Sequence, residues 1–247
     1  DPIGRIEAAQ SLVAKSSLSD IKVLSQCLKK EPQWGVANRI ARALGKIGGE
    51  FARDGLLKAV NSPDAKIRAG IVQALGEFMN DAKVARALKK IAQGDPSYRV
   101  EAEALSSLGR VKAKNCRPFL EGFLDRPSHN DIGRSTIFRA LANLEEEKAW
   151  ATLLEGADYG AARGSRFSAI QGLAKLAGRF EHLKPEAINT LKRFAQETRG
   201  TPSATFRGKL AAIQAMGELE DLSSIPTLRK LAEGETDGRL KRRADET

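Results

Sequence analysis

The chain has 247 residues, with 41 Lys and Arg against 31 Asp and Glu for a net charge of +10; 41% of residues are hydrophobic, but only two are Trp, two Tyr and nine Phe. The apolar content therefore rests on Ala, Leu, Ile and Val, which suits close helix packing, and the sequence contains no run of eighteen apolar residues, signal peptide or lipidation motif. Two cysteines, Cys27 and Cys116, are too few for a disulfide framework or a zinc knuckle; both lie in apolar helical stretches, so buried thiols in a reducing compartment are expected, with the cytoplasm favoured.

From its first residues the sequence repeats. Gln10-Ser11-Leu12-Val13 returns as Ala43-Leu44-Gly45, Val72-Gln73-Ala74-Leu75-Gly76, Ser107-Leu108-Gly109, Ala140-Leu141-Ala142, Ile170-Gln171-Gly172-Leu173-Ala174 and Ile213-Gln214-Ala215-Met216-Gly217. With Val13, Gly45, Gly76, Gly109, Ala142, Ala174 and Gly217 as one landmark, the spacings are 32, 31, 33, 33, 32 and 43 residues. A period of this length marks stacked supersecondary units. The units fall at about 1–30, 31–61, 62–94, 95–125, 126–158, 159–200 and 201–236, with the start of an eighth at 237–247, and are read as one array.

Each unit predicts two helices. In the second to fourth units the first helix carries Val36, Ile40, Leu44 and Ile47, then Ile67, Ile71, Leu75 and Phe78, then Val100, Ala104, Leu108 and Val111, one apolar stripe at helical spacing. Eleven and fifteen residues after the landmark come Leu24 and Leu28, Leu56 and Val60, Ala87 and Ile91, Leu120 and Leu124, Leu153 and Ala157, and Leu228 and Ala232, which predict the second helix. Pro2, Pro32, Pro63, Pro96, Pro127 and Pro202 precede first helices, and Pro118, Pro185 and Pro226 open second helices, where a missing amide hydrogen costs nothing. The landmark glycines predict close helix contacts or helix ends, since no strand precedes them and no Gly-Lys-Ser or Gly-Lys-Thr follows.

A helix pair of this kind cannot bury its stripe alone. The predicted fold is all-α, a right-handed α-α superhelix of about seven helix pairs with the second helices on the concave face. It resembles the HEAT/armadillo-like solenoids, in particular short HEAT repeats. About eleven extra residues between Ala174 and Gly217, spread over Gly178 to Lys184 and Gln196 to Thr205, predict longer loops that splay the sixth and seventh pairs. The array opens on a first helix at Asp1-Pro2 and stops short of an eighth landmark, the pattern expected of a piece of a longer protein.

No catalytic constellation emerges. His129 reads as a loop or cap residue and His182 as a surface residue, and no His, Cys or carboxylate cluster has metal-ligand spacing, so no cofactor is expected in this chain. Trp34 at a first-helix start, and Trp150 beside Glu145, Glu146 and Glu147, are poorly suited to base excision. The positive charge is scattered, with Lys29-Lys30, Lys89-Lys90, Lys192-Arg193 and Lys241-Arg242-Arg243 in different units, which argues more for a solvated surface than for nucleic acid.

Three peptides carry a narrower resemblance: Glu31-Pro32-Gln33-Trp34-Gly35-Val36, Asp95-Pro96-Ser97-Tyr98-Arg99-Val100 and Arg126-Pro127-Ser128-His129-Asn130-Asp131-Ile132. In this order, with the opening Asp1 to Ala9 and the closing Asp237 to Ala244, the chain resembles the C-terminal HEAT domain of bacterial and archaeal M1-family zinc aminopeptidases. The resemblance implies a non-catalytic domain that packs against an upstream peptidase domain and shapes substrate access, with zinc held only by that domain. Lys22, Lys29, Arg86, Lys89, Lys90, Lys192 and Arg193, on second helices, are then candidate contacts for the carboxylate end of a peptide. The alternatives are an independent HEAT-type scaffold for a protein partner and, after it, a nucleic-acid-binding protein.

Overall fold

The computed structural model describes residues 1–126, 131–160, 163–199, 202–235 and 237–247. Regular structure among these residues is helical throughout, and the expected all-helical solenoid of stacked pairs is present. Packing groups the chain into two compact units, Asp1–Leu120 and Glu121–Thr247.

In the first unit α1 (Pro2–Ser11), α3 (Trp34–Ile47), α5 (Ala65–Leu75) and α7 (Tyr98–Val111) are the first helices, and α2 (Leu18–Lys30), α4 (Gly49–Ala59) and α6 (Ala82–Gly94) the second. The first helices stack in order, α1 on α3 on α5 on α7, while α2 lies against α4 and α6 against α7. Their starts are chemically marked. The Asp1 carboxylate accepts from the amides of Ile3 and Gly4, Ser17 and Asp20 form a reciprocal capping box on α2, and Asp64 and Asp81 cap α5 and α6. The stripe residues Val36, Ile40, Leu44, Ile67, Ile71, Leu75, Val100, Ala104, Leu108 and Val111 are all buried, each large one contributing about 1.5–3 kcal/mol relative to exposure.

In this unit the register of α6 and the burial of one cysteine differ from the sequence expectation. Helix α6 buries Val84, Ala85, Leu88 and Ala92, leaving Ala87 and Ile91 only half-buried. Asp81 sets the start of this helix: it caps the Lys83 and Val84 amides while its other oxygen is held by Arg53 at 3.0 Å, and a one-residue step turns a helical stripe by about 100°. Cys27 is exposed whereas Cys116 is buried, because Cys27 lies off the Leu24 and Leu28 stripe of α2.

Helix α8 (Cys116–Glu121) closes the fourth pair. The second unit holds α9 (Ile132–Leu144), α10 (Trp150–Ala157), α11 (Arg163–Arg179), α12 (Lys184–Ala195), α13 (Pro202–Glu218), α14 (Ile225–Gly234) and α15 (Gly238–Glu246). Here α9, α11, α13 and α15 stack in order, and α10, α12 and α14 pack against α11, α13 and α15. The extra residues from Gly178 to Lys184 do not form a loop excursion: Gly178 and Arg179 extend α11, and Glu181–Leu183 make a 3-10 turn leading into α12. Leu183 is buried in that turn, so apolar burial draws the added length onto the helices. His129, Pro127 and Thr201 lie outside the described residues.

Two positions recur relative to the landmark. Three residues after it, Gly48, Lys112, Glu145 and Glu220 all have positive φ, of 71°, 52°, 54° and 48°, at the ends of their first helices; Lys112 and Glu145 are left-handed helical, whereas Gly48 has ψ of −162°. Eight residues before it stand Arg5, Arg68, Arg134, Arg166 and Lys209 in five of the seven repeats, with Ala37 and Glu101 in the other two. Arg5 meets Glu31 at 2.9 Å, Arg68 clasps Asp95 at 2.8 and 2.9 Å, and Lys209 meets Glu235 at 2.9 Å; Arg134 and Arg166 instead donate to the carbonyls of Leu124 and Ala157, each at 2.8 Å. The landmark glycine itself permits close approach: a Cβ on Gly45 would come within 3.0 Å of the Ala74 carbonyl oxygen across the α3–α5 contact.

Candidate functional site

The second helices α2 and α4 converge where Gly55 faces Ser25, and a Cβ on Gly55 would collide with the Ser25 side chain. Ser25 turns its hydroxyl back onto its own helix, donating to the Ile21 carbonyl at 2.7 Å, so the contact is sealed without an exposed donor. Around it lies an open groove of about 600 Å³. One wall is the α2 stripe of Ile21, Lys22, Ser25, Gln26 and Lys29, and the other is Phe51, Asp54, Gly55, Lys58 and Ala59 of α4. Helical spacing alone brings each set onto one face.

The groove is electrically one-sided. Asp54 is its only acid, and its carboxylate is engaged by Arg53 and Lys83, each at 2.8 Å; these hydrogen bonds hold its pKa at about 2. Lys22, Lys29 and Lys58 are exposed and form no ion pair among the described residues. Phe51 remains 48% exposed, an aromatic edge left in water beside three open ammonium groups.

Of the residues singled out from sequence, the structure thus brings together Lys22 and Lys29. On α6, Lys89 is committed to the Asn115 carbonyl at 2.8 Å and to the Phe119 ring at 5.4 Å, while Arg86 and Lys90 are exposed. Lys192 and Arg193 belong to the second unit: Lys192 donates to the Ser223 hydroxyl at 3.1 Å, and Arg193 sits over the Phe194 ring at 5.3 Å beside a shallow depression that it lines with Glu186, Asn189 and Thr190. Phe51, Asp54 and Lys58 escaped the sequence reading, although their spacing on α4 matches that of Lys22, Ser25 and Lys29 on α2. Trp150 is buried, which removes it as a base-stacking surface, and Trp34 is 51% exposed with the Lys66 ammonium 5.1 Å from its ring. His182 is exposed and meets Glu147 at 3.1 Å.

Among the described residues no group of three or more His, Cys, Asp or Glu is placed to hold a metal ion, and no helix is long and apolar enough to cross a membrane.

Comparison with known proteins places these observations. The pattern of HEAT repeats matches residues 1–76, 21–107 and 85–174. The chain is 30% identical over 125 residues, 46% of its length and 44% of the relative's, to phycocyanobilin lyase subunit alpha of Nostoc sp. strain PCC 7120. It is 29% identical over 147 residues, 55% of its length and 54% of the relative's, to phycocyanobilin lyase subunit alpha of Picosynechococcus sp. strain PCC 7002. The chain spans about half the length of the curated relatives it matches. Among solved structures, a chain in the complex of CpcE and CpcF of phycocyanin lyase from Nostoc sp. PCC7120 shares the fold, with a TM-score of 0.50 and 22% identity over 91% of this chain and 86% of that one.

These relatives overturn the aminopeptidase resemblance and with it the upstream peptidase domain and its zinc. The physical reason lies in the peptides that suggested it. Glu31-Pro32 and Asp95-Pro96 stand two residues before α3 and α7, where Glu31 and Asp95 receive Arg5 and Arg68. In both peptides the acid anchors a basic residue of the preceding first helix and the proline precedes a first-helix start, so each has a geometric role within the repeat itself.

Proposed function

The chain belongs to the HEAT-repeat family, and on that premise we propose that it is a scaffold that works by binding a partner protein through its second helices. The observation that carries this reading is the groove between α2 and α4, where Phe51 and three lysines without ion-pair partners among the described residues stand exposed. A protein-binding surface needs an apolar anchor point ringed by polar groups, and this arrangement supplies one. The names of the relatives support it, because a lyase subunit is by name part of an assembly. The test is reconstitution. Cross-linking mass spectrometry in the native host should give adducts on α2, α4 or the other second helices, and the identified protein, purified, should form a stoichiometric complex with this chain. A chain that yields no adduct and no such complex would not be a scaffold.

A finer reading, in which the assembly is a bilin lyase, rests on the 30% identity to the Nostoc subunit. It predicts that adding this chain and its partner to phycocyanobilin shifts the pigment's visible absorption. An unchanged spectrum removes the lyase reading and leaves the scaffold.

A further inference from the structure

Resting on the scaffold reading, we infer that the α2–α4 groove takes an acidic amphipathic helix of the partner protein, with an aliphatic side chain seated against Phe51 and the Ser25–Gly55 contact and carboxylates reaching Lys22, Lys29 and Lys58. The argument is one of shape and charge together. The floor offers Ile21, Ala59, Gly55 and the back-bonded Ser25, none of which asks for a hydrogen bond from an occupant. A volume of about 600 Å³ accommodates side chains from roughly two helical turns, and each wall repeats at helical spacing, which suits i, i+3/i+4, i+7 anchors.

Charge then selects among helices. Lys22 and Lys29 on one wall and Lys58 on the other form no ion pair among the described residues, and the lone carboxylate of the groove, Asp54, already holds two cations, Arg53 and Lys83, on its Oδ1. A basic or neutral helix would leave three ammonium groups facing like charge or low-dielectric surface. An acidic one converts each into an intermolecular ion pair and steers its own approach.

The test uses the full chain and a fluorescein-labelled helical peptide with leucines at i, i+4 and i+7 flanked by glutamates, read by fluorescence anisotropy. Saturable binding is expected, weakened about tenfold by F51A and about tenfold or more by the K29E/K58E pair, and weakened by added salt. The same peptide with lysines replacing the glutamates should not bind. All substituted positions are exposed, and circular dichroism is used to check that each variant keeps its helices. Equal binding of acidic and basic peptides, or affinity unchanged by both variants, overturns the inference. Photocrosslinking from position 51 separates it from the broader reading: adducts from α6 or α12 but none from position 51 would sink the groove while keeping the scaffold, and no protein adduct from any second helix would sink both.

Discussion

The two units solve one joining problem with different chemistry. Eight residues before the landmark, Arg68 in the first unit meets a carboxylate, Asp95, whose side chain is only 8% exposed. At the same repeat position in the second unit, Arg166 meets the Ala157 carbonyl, rests 5.1 Å from the Phe194 ring and leaves one guanidinium nitrogen buried without a hydrogen-bond partner; burial pulls its pKa down. The difference teaches that a long donor at this position can join turns through a carboxylate or through a carbonyl, and that a repeat can do without one, since Ala37 and Glu101 stand at the same offset in two others. Lys209 with Glu235 shows that the second unit uses both solutions.

The comparison can be broken most directly at Arg68. Arg68→Ala leaves Asp95 partly buried without its counter-ion, and a loss of about 3 kcal/mol is expected in urea unfolding followed at Trp34, with Trp150 replaced by Phe so that the signal reports the first unit. A loss below about 1 kcal/mol would mean that the ion pair does not join these repeats.

Acid provides the next test. Arg53 and Lys83 hold the Asp54 carboxyl at about 2, and the Arg68 guanidinium holds Asp95 below its ordinary value of 3.8. Both groups bind protons more readily unfolded than folded, so their stabilisation is complete above the unfolded value of 3.8 and is lost as pH falls through the depressed folded values. The Trp34 signal should therefore show the first unit weakening between about pH 4 and pH 2. Asp95→Asn should make that dependence shallower, and an unaltered slope would refute the assignment.

At the other end of the comparison, Arg166→Met should change the stability of the second unit by no more than about 1 kcal/mol, because it removes a desolvated charge and refills the space with apolar atoms. Trp150 fluorescence in a Trp34→Phe background reads this out, and a loss of about 3 kcal/mol would show that the carbonyl bond matters as much as the carboxylate one. The smallest effect is expected from Lys192→Ala, whose bond to Ser223 is exposed: within about 0.5 kcal/mol by the same measurement.

Much of the architecture was legible in the residues. The period, the first-helix stripes from Val36 to Val111 and the proline-marked starts all follow from burial and backbone rules that act locally. The sequence reading missed the register of α6, whose capping Asp81 is held by Arg53 from another helix. The basic residues eight before the landmark were visible in principle, since Arg5, Arg68, Arg134, Arg166 and Lys209 share one offset, but a reading that follows apolar residues passes over them. The groove was half legible for the same reason. Lys22 and Lys29 stood out as charges, whereas Phe51 and Lys58 become significant only because Gly55 lets α4 approach α2.

The left-handed residues three positions after the landmark bear on how such a chain changes over time. Lys112 and Glu145 place the same left-handed bend at the same point of two pairs without glycine, and Gly48 and Glu220 share its positive φ, so the turn belongs to the repeat and not to one residue. A cut at Lys112 and a join at Glu145, whose backbone angles match, brings together ends that already point the right way. Duplication or deletion of a whole pair is then a small local event, and the number of repeats becomes a quantity that recombination can adjust while each surviving groove is inherited intact.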